Sequence, residues 1–304
     1  MNQIIVTGAS GQFGRAAAAL LLEKISPSRL ILTSRTPERL SDFAKQGADV
    51  RYADFDRPET LSPAFKGGDR MLLISTARVG TRVGQHRNAI EAAAKLGVKQ
   101  IAYTSVLGAA TPGHPALVTR DHRATEEIIE ASGVAGTFLR DSQYTEAVSD
   151  VIAPVAIMRG NVPGSAGDGR VAFVSRADCV ACAAAVLTTP GHENKAYDLT
   201  GPALHTFPET IALISRIAGK PIDYVRVTDD DMFAYFDEMG APRHASDITP
   251  DGPIPWSSDD MVTFEQAIRE GYFDVLTGNV EKLTGKKPRS LETVLREAAA
   301  RWPK

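Results

Sequence analysis

The chain has 304 residues, 43% of them apolar and 23% charged, with a formal net charge of −3. That length holds one large or two modest domains around a sizeable core, and the near-neutral balance makes no electrostatic case for nucleic acid or an anionic membrane as partner. There is no basic leader, no block of like charges and no apolar stretch near the roughly 20 residues of a membrane helix, so a cytoplasmic location is expected.

Ile4 to Val6 reads as an apolar strand ending at Thr7. Gly8-Ala9-Ser10-Gly11-Gln12-Phe13-Gly14 follows, and an alanine-rich helix from Ala16 to Leu22 comes straight after. A strand, a glycine-rich turn and a helix in that order form the context a dinucleotide site requires. Gly8 permits the tight turn, Gly11 lets a pyrophosphate approach the backbone, and Gly14 lets the helix pack close to the strand. The helix N-terminus then offers free N–H groups to the phosphates. Thr7, Gly8, Ser10, Gly11, Gln12, Phe13 and Gly14 are therefore expected at the cofactor.

The second strand, Arg29 to Ser34, ends at Arg35, where a site for NAD would place an acid to hold the ribose 2′-hydroxyl. An arginine there suits a 2′-phosphate, with Thr33 and Ser34 as hydroxyl donors, so NADP(H) is expected over NAD(H). Arg39 is either a second charge or a solvated loop residue. Val50 to Ala53 reads as strand three. After it, Asp54 and Phe55 could meet the adenine, or Asp54 could be an ordinary strand-end acid. Pro58 to Phe65 reads as a helix. The unbroken apolar run Met71 to Ile74 reads as a strand covered on both faces. Ser75, Thr76 and Ala77 after it would admit the nicotinamide half, or serve turn chemistry.

Gly84 to Leu96 reads as a helix, Ile101 to Thr104 as a strand, Thr119 to Ser132 as a helix, and Thr137 to Arg140 as a further strand. Tyr103 and Ser105 fall at the fifth strand's end and join the expected cofactor contacts. Tyr144 is expected as a stacking or hydrogen-bonding wall that shapes or protonates the substrate, and His122 could donate a proton, at an ordinary pKa near 6.5, or orient substrate. Beyond Tyr144, Pro154, Pro163 and several glycines mark turns. Arg170 to Val174, Ala196 to Thr200 and Ile222 to Val227 read as strands. Thr206 to Ala218, Asp229 to Met239, Ser257 to Glu270 and Ser290 to Ala300 read as helices, with a Pro/Gly-rich loop over Pro250 to Pro255. Cys179 and Cys182 form a C-x-x-C inside a helix expected to be capped by Asp178. With no second pair to complete a metal site, they read as small packing residues.

Alternating strands and helices argue an α/β fold. The expected architecture is a Rossmann-like doubly wound parallel sheet over residues 1–150, with 170–200 returning to it. A smaller, mostly helical C-terminal domain over 201–304 caps the substrate. The chain contains no Tyr-x-x-x-Lys: the positions four after its seven tyrosines carry no lysine. An alcohol–ketone reaction must manage an alkoxide, whereas a reduced quinone leaves a phenolate-like oxyanion of conjugate acid pKa about 10, which water can protonate. The absence therefore favours easily reduced acceptors, and equally allows no chemistry.

These motifs resemble the NmrA-like group of atypical short-chain dehydrogenases/reductases, and within it the quinone reductase and triphenylmethane reductase branch. The likeness runs through the glycine turn, Arg35, Ala53 to Asp56, Leu72 to Ser75, Gln85 to Asn88, Ile101 to Ser105, Asp121-His122 to Glu126, Leu139 to Glu146, Ala166 to Gly169 and Ala196 to Gly201. It implies NADPH bound without flavin or metal, and hydride transfer to a small quinone or related aromatic molecule. The group also contains NADP(H)-sensing regulators, and an aryl ketone or ether stays open as acceptor. A homodimer stays open as the assembly. Similar quinone reductases carry Arg-Asn and Glu-Asn, where this chain has Arg140-Asp141 and Glu146-Ala147.

Overall fold

The computed structural model describes residues 3–77, 79–248, 254 and 256–304. The loop expected over Pro250 to Pro255 falls almost wholly outside the described residues. The first half alternates strand and helix. β1 (Gln3–Val6) leads to α1 (Gln12–Leu22), β2 (Leu30–Ser34) to α2 (Ser41–Lys45), and β3 (Asp49–Tyr52) to α3 (Leu61–Phe65). β4 (Gly68–Leu73) leads to α4 (Arg82–Lys95), and β5 (Gln100–Val106) to α5 (Leu117–Ala131) and β6 (Ala135–Asp141). After β6 come α6 (Thr145–Ala147), a π turn (Val148–Ile152), α7 (Ala153–Arg159), β7 (Asn161–Gly164), β8 (Arg170–Val171), α8 (Arg176–Thr188) and β9 (Lys195–Leu199). The remainder is β10 (His205–Thr206), α9 (Phe207–Ala218), β11 (Asp223–Arg226), α10 (Asp229–Glu238), α11 (Ser258–Arg269), α12 (Asn279–Thr284) and α13 (Leu291–Ala298).

Seven strands form one sheet in the order β3-β2-β1-β4-β5-β6-β9. Every pairing in it is parallel. The sheet therefore has a helical layer on each face, and the central runs Ile4–Val6 and Met71–Leu73 are apolar and buried. β1 shows the division: Ile4 and Val6 pack with Leu32 and Leu72 under α1 and α8, while Ile5 packs with Ile31, Met71 and Tyr103 under α4 and α5. Burying each such aliphatic side chain contributes about 1.5–3 kcal/mol. The strand order reverses between β1 and β4. In open α/β sheets that reversal leaves a crevice at the strands' C-terminal ends.

The structure departs from the sequence reading mainly after Tyr144. The segment read as turns is nearly continuous helix from Thr145 to Arg159, widened by the π turn just before Pro154. A proline has no N–H to donate to the preceding turn, and the wider turn accommodates that loss. Asn161–Gly164, unread in the sequence, pairs in parallel with β11. Pro163 fits there because the pair stands alone as a two-stranded ribbon with free edges. The cap of α8 is Ser175, whose side chain accepts from the Asp178 N–H, and not Asp178 itself. Both cysteines are buried and unoxidised. No described helix is long and apolar enough to cross a membrane.

Candidate active site

The glycine turn starts the crevice. Gly8 has a φ of +58°, a left-handed conformation that glycine adopts without strain. Gly11 and Gln12 are exposed at the start of α1, and Gly14 is buried against the turn. Thr7 belongs to the frame. Its Oγ1 donates to Leu72 O at 3.1 Å and accepts from the Ile74 N–H at 3.0 Å, with no exposed surface. The Thr7 side chain thus ties β1 to the end of β4 and is closed to a ligand, which corrects the expectation for its hydroxyl. Phe13 packs half-buried against the core beneath α1.

At the end of β2, Ser10 Oγ lies 2.7 Å from Ser34 Oγ, and Thr36 Oγ1 lies 3.3 Å from Ser10 Oγ. Arg35 stands exposed beside this hydroxyl cluster, and no described residue pairs with it. Thr36 was missed in the sequence, and Thr33 is buried with its hydroxyl directed to Val6 O. A solvent-facing guanidinium next to three hydroxyls fits a phosphate monoester. Around the crevice, Asp54 accepts from the Asp56 N–H at 3.1 Å, and Phe55 O accepts from Asn88 at 2.9 Å. Both residues therefore shape a turn after β3 while staying partly exposed.

The loop after β4 is held from beneath. The Ser75 N–H donates to Thr104 Oγ1 at 2.9 Å, the Thr76 N–H to His86 Nε2 at 3.1 Å, and Arg82 to Ala77 O at 3.0 Å. Thr76 Oγ1 donates to Gln85 at 2.7 Å. These bonds leave the outer edge of Ser75 to Ala77 open.

A buried network lies behind that loop. Arg82 approaches His122 Nε2 at 2.9 Å, and His122 Nδ1 lies 2.8 Å from the Tyr103 hydroxyl. Arginine only donates, so Nε2 must accept and the ring proton sits on Nδ1. His86 is fixed the same way: Nε2 accepts from Thr76, and Nδ1 reaches Thr125 at 2.9 Å. Burial and the Arg82 charge push both imidazoles down, His86 to about 3 and His122 well below its usual value. The expectation that His122 donates a proton at an ordinary pKa is therefore corrected: it is neutral, and a neighbouring cation locks its tautomer. Tyr103 has no exposed surface, and its hydroxyl belongs to this network rather than to a ligand. Ser105 is likewise turned inward. It donates to Glu126 at 2.6 Å, and Arg140 forks onto the same carboxylate at 3.0 and 2.6 Å.

Tyr144 closes the crevice from the side of β6. Its hydroxyl donates to Asp141 Oδ2 at 2.5 Å, and Asp141 is 4% exposed. Burial raises the Tyr144 pKa, as does the Asp141 carboxylate, so the phenol is no acid for a substrate. The ring remains as a wall. Arg176 stacks 5.5 Å from it and donates to Gln12 at 2.9 Å, joining the start of α8 to the glycine turn. Sequence reasoning missed Arg176, because nothing local marks a residue that acts across 164 positions.

Next to Tyr144 the segment Gln143 to Ile152 borders a cavity of about 330 Å³. Six rings line it: Phe207, Tyr224, Tyr235, Phe236, Trp256 and Phe264. Three methionines, Met232, Met239 and Met261, complete its walls. Its residues come from three separated stretches of the chain, so no local motif announces it. Among the described residues, no cluster of three or more histidine, cysteine or acidic side chains could hold a metal.

Comparison with known proteins gives this geometry a family. Residues 8–190 match the NAD(P)H-binding family model. Quinone oxidoreductase 2 of Escherichia coli is 36% identical over 269 residues, 87% of this chain and 93% of that protein. The crystal structure of the NADPH-dependent quinone oxidoreductase of Escherichia coli complexed with NADPH superposes with a TM-score of 0.86 at 33% identity, covering 98% of this chain and 99% of that one. The Citrobacter triphenylmethane reductase complexed with NADP(H) follows at a TM-score of 0.83 and 30% identity, covering 97% and 99%.

Proposed function

Because the chain belongs to the NAD(P)H-binding, NmrA-like family, we propose that it is an NADPH-dependent reductase that delivers hydride to a quinone or a related conjugated, electron-poor aromatic acceptor, without flavin or metal. The observation that carries this reading is the ring- and methionine-lined cavity bordered by the segment that follows β6. A flat apolar molecule fits such walls, and methionine adapts to more than one shape.

The bound nicotinamide supplies the hydride. The chain supplies place and orientation. Gly8, Ser10, Gly11, Gln12, Phe13 and Gly14 with the N-terminus of α1 seat the pyrophosphate. Arg35 with Ser10, Ser34 and Thr36 selects the 2′-phosphate. Asp54 and Phe55 flank the adenine, and the open edge of Ser75 to Ala77 receives the nicotinamide side. The Tyr144 ring walls the acceptor. His86, His122, Tyr103 and Arg82 hold the Ser75–Ala77 loop still, so catalysis here is proximity and orientation. In this reading residues 1–150 with 170–200 bind the cofactor, and 201–304 cap the acceptor.

The test is to mix the protein with NADPH and a panel of benzoquinones and naphthoquinones, and to follow loss of the reduced-nicotinamide absorbance against a no-enzyme control. Enzyme-dependent loss is expected. Tight NADPH binding with no consumption of any acceptor would favour a cofactor sensor instead. Arg35→Gln should raise the KM for NADPH about 10- to 100-fold, the worth of a charge-assisted phosphate contact, and leave that for NADH nearly unchanged. Equal effects on both cofactors would remove the role assigned to Arg35.

A further inference from the structure

Arg176 opens α8 beside the glycine turn, and its side chain is committed to no described carboxylate. It donates to Gln12 Oε1 at 2.9 Å, and its guanidinium carbon lies 5.5 Å from the centre of the Tyr144 ring. Both partners are neutral. Arg15, further into α1, is by contrast taken up by Asp42 and by Arg39 O. The backbone at the start of α8 is engaged as well. The Arg176 N–H donates to the Glu146 carboxylate at 2.9 and 3.1 Å, and the Asp178 N–H to Ser175 Oγ at 3.0 Å. The guanidinium is therefore the group that this end of α8 offers to a ligand. Its base is fixed: Val174 O accepts from the Thr145 N–H at 2.9 Å, and the Val174 N–H donates to Gln143 O at 3.1 Å. This ladder and the Tyr144 ring hold a cation next to Gln12, which is exposed at the first turn of α1.

Resting on the reading that the glycine turn seats the pyrophosphate, we infer that Arg176 is a second cofactor cation. It exchanges Gln12 for a pyrophosphate oxygen and latches the start of α8 onto the bound cofactor. The diphosphate bridge is doubly negative, and a helix N-terminus meets it with only about half an elementary charge. A hydrogen bond between charged groups is about twice as strong as a neutral one, so the guanidinium gains by trading an amide oxygen for an anionic one. Arg35 and Arg176 then divide the work. Arg35 reads the 2′-phosphate that distinguishes NADP(H), and Arg176 holds the bridge that both nicotinamide cofactors share.

Calorimetric titration with three ligands tests this. NADP⁺ carries every part, 2′-phospho-ADP-ribose lacks the nicotinamide, and 2′-AMP lacks the pyrophosphate as well. Arg176→Gln should weaken NADP⁺ and 2′-phospho-ADP-ribose by the same factor, about tenfold, and leave 2′-AMP and the melting temperature unchanged. Arg35→Gln should weaken all three. Arg176→Lys, which keeps the charge and loses the fork, should recover part of the loss. Arg176→Gln binding NADP⁺ as tightly as the natural chain overturns the inference. So does a loss of NADP⁺ affinity that 2′-phospho-ADP-ribose does not share, or one that 2′-AMP shares equally, since a residue that merely props Tyr144 and Gln12 would act in those ways. Failure of the underlying reading looks different: the natural chain itself then binds 2′-phospho-ADP-ribose no more tightly than 2′-AMP, and both fall together.

Discussion

Gly14→Ala is expected to cost the protein about 3 kcal/mol of stability or more, and to weaken NADP(H) binding about 100-fold. A Cβ on Gly14 would lie 2.5 Å from Gly8 O and 2.6 Å from the Ala9 Cα. Both are backbone atoms of the turn, so no side-chain rotation relieves the clash. α1 would have to lift off β1, carrying its N–H groups away from the phosphates. Gly11→Ala makes the contrast. Its Cβ would meet Gly8 O at 3.3 Å, and its φ of −76° accepts a side chain. The fold should survive that change while the phosphate loses its approach. Thermal melting and calorimetric titration with NADP⁺ separate the two. A Gly14→Ala protein that melts and binds like the natural chain would show that α1 is not pressed against the turn.

Asp141→Asn should stabilise the protein above neutral pH. Burial raises the Asp141 carboxyl to about 7, with the Tyr144 hydroxyl and the Cys179 thiol opposing the shift only in part. Its Oδ1 is buried with no hydrogen-bond partner. An unfolded aspartate titrates near 3.9. The folded value is the higher one, so the stability linked to this group is complete below about pH 4 and lost as pH rises through about 7. The gap corresponds to on the order of 4 kcal/mol between the two limits. An asparagine oxygen still accepts from Tyr144 and carries no charge to bury. The variant should melt several degrees higher than the natural chain at pH 8.5 and close to it at pH 4. Parallel melting curves across that range would mean that Asp141 does not titrate in the folded interior.

The same residue shows why part of the site was legible and part was not. The glycine turn and Arg35 were readable because a phosphate site is local: one strand end, one turn and one helix start supply it within a short run. The β–α alternation through β6 was readable because apolar periodicity reports burial directly. Asp141 and Tyr144 were also visible as residues, but not their pairing. Tyr144 looked like a donor to substrate until its hydroxyl was found turned onto Asp141. His122 looked like a titrating proton donor until Arg82, 40 positions away, was found on its Nε2. Ser105 looked like a cofactor contact until its hydroxyl was found donating to Glu126, which Arg140 holds in turn.

The sequence by itself determined the parallel α/β framework, the family and the nicotinamide cofactor, because each depends on short-range pattern and on residue types at fixed offsets. Only the tertiary structure decided which polar groups face the crevice and which are held inside. It alone assembled the ring-lined cavity from residues 143–163, 207–239 and 256–268. The physical reason is that protonation state and exposure are set by neighbours across the fold. A hydroxyl or an imidazole keeps its textual identity wherever it lies, while its chemistry depends on the buried arginine or carboxylate brought against it.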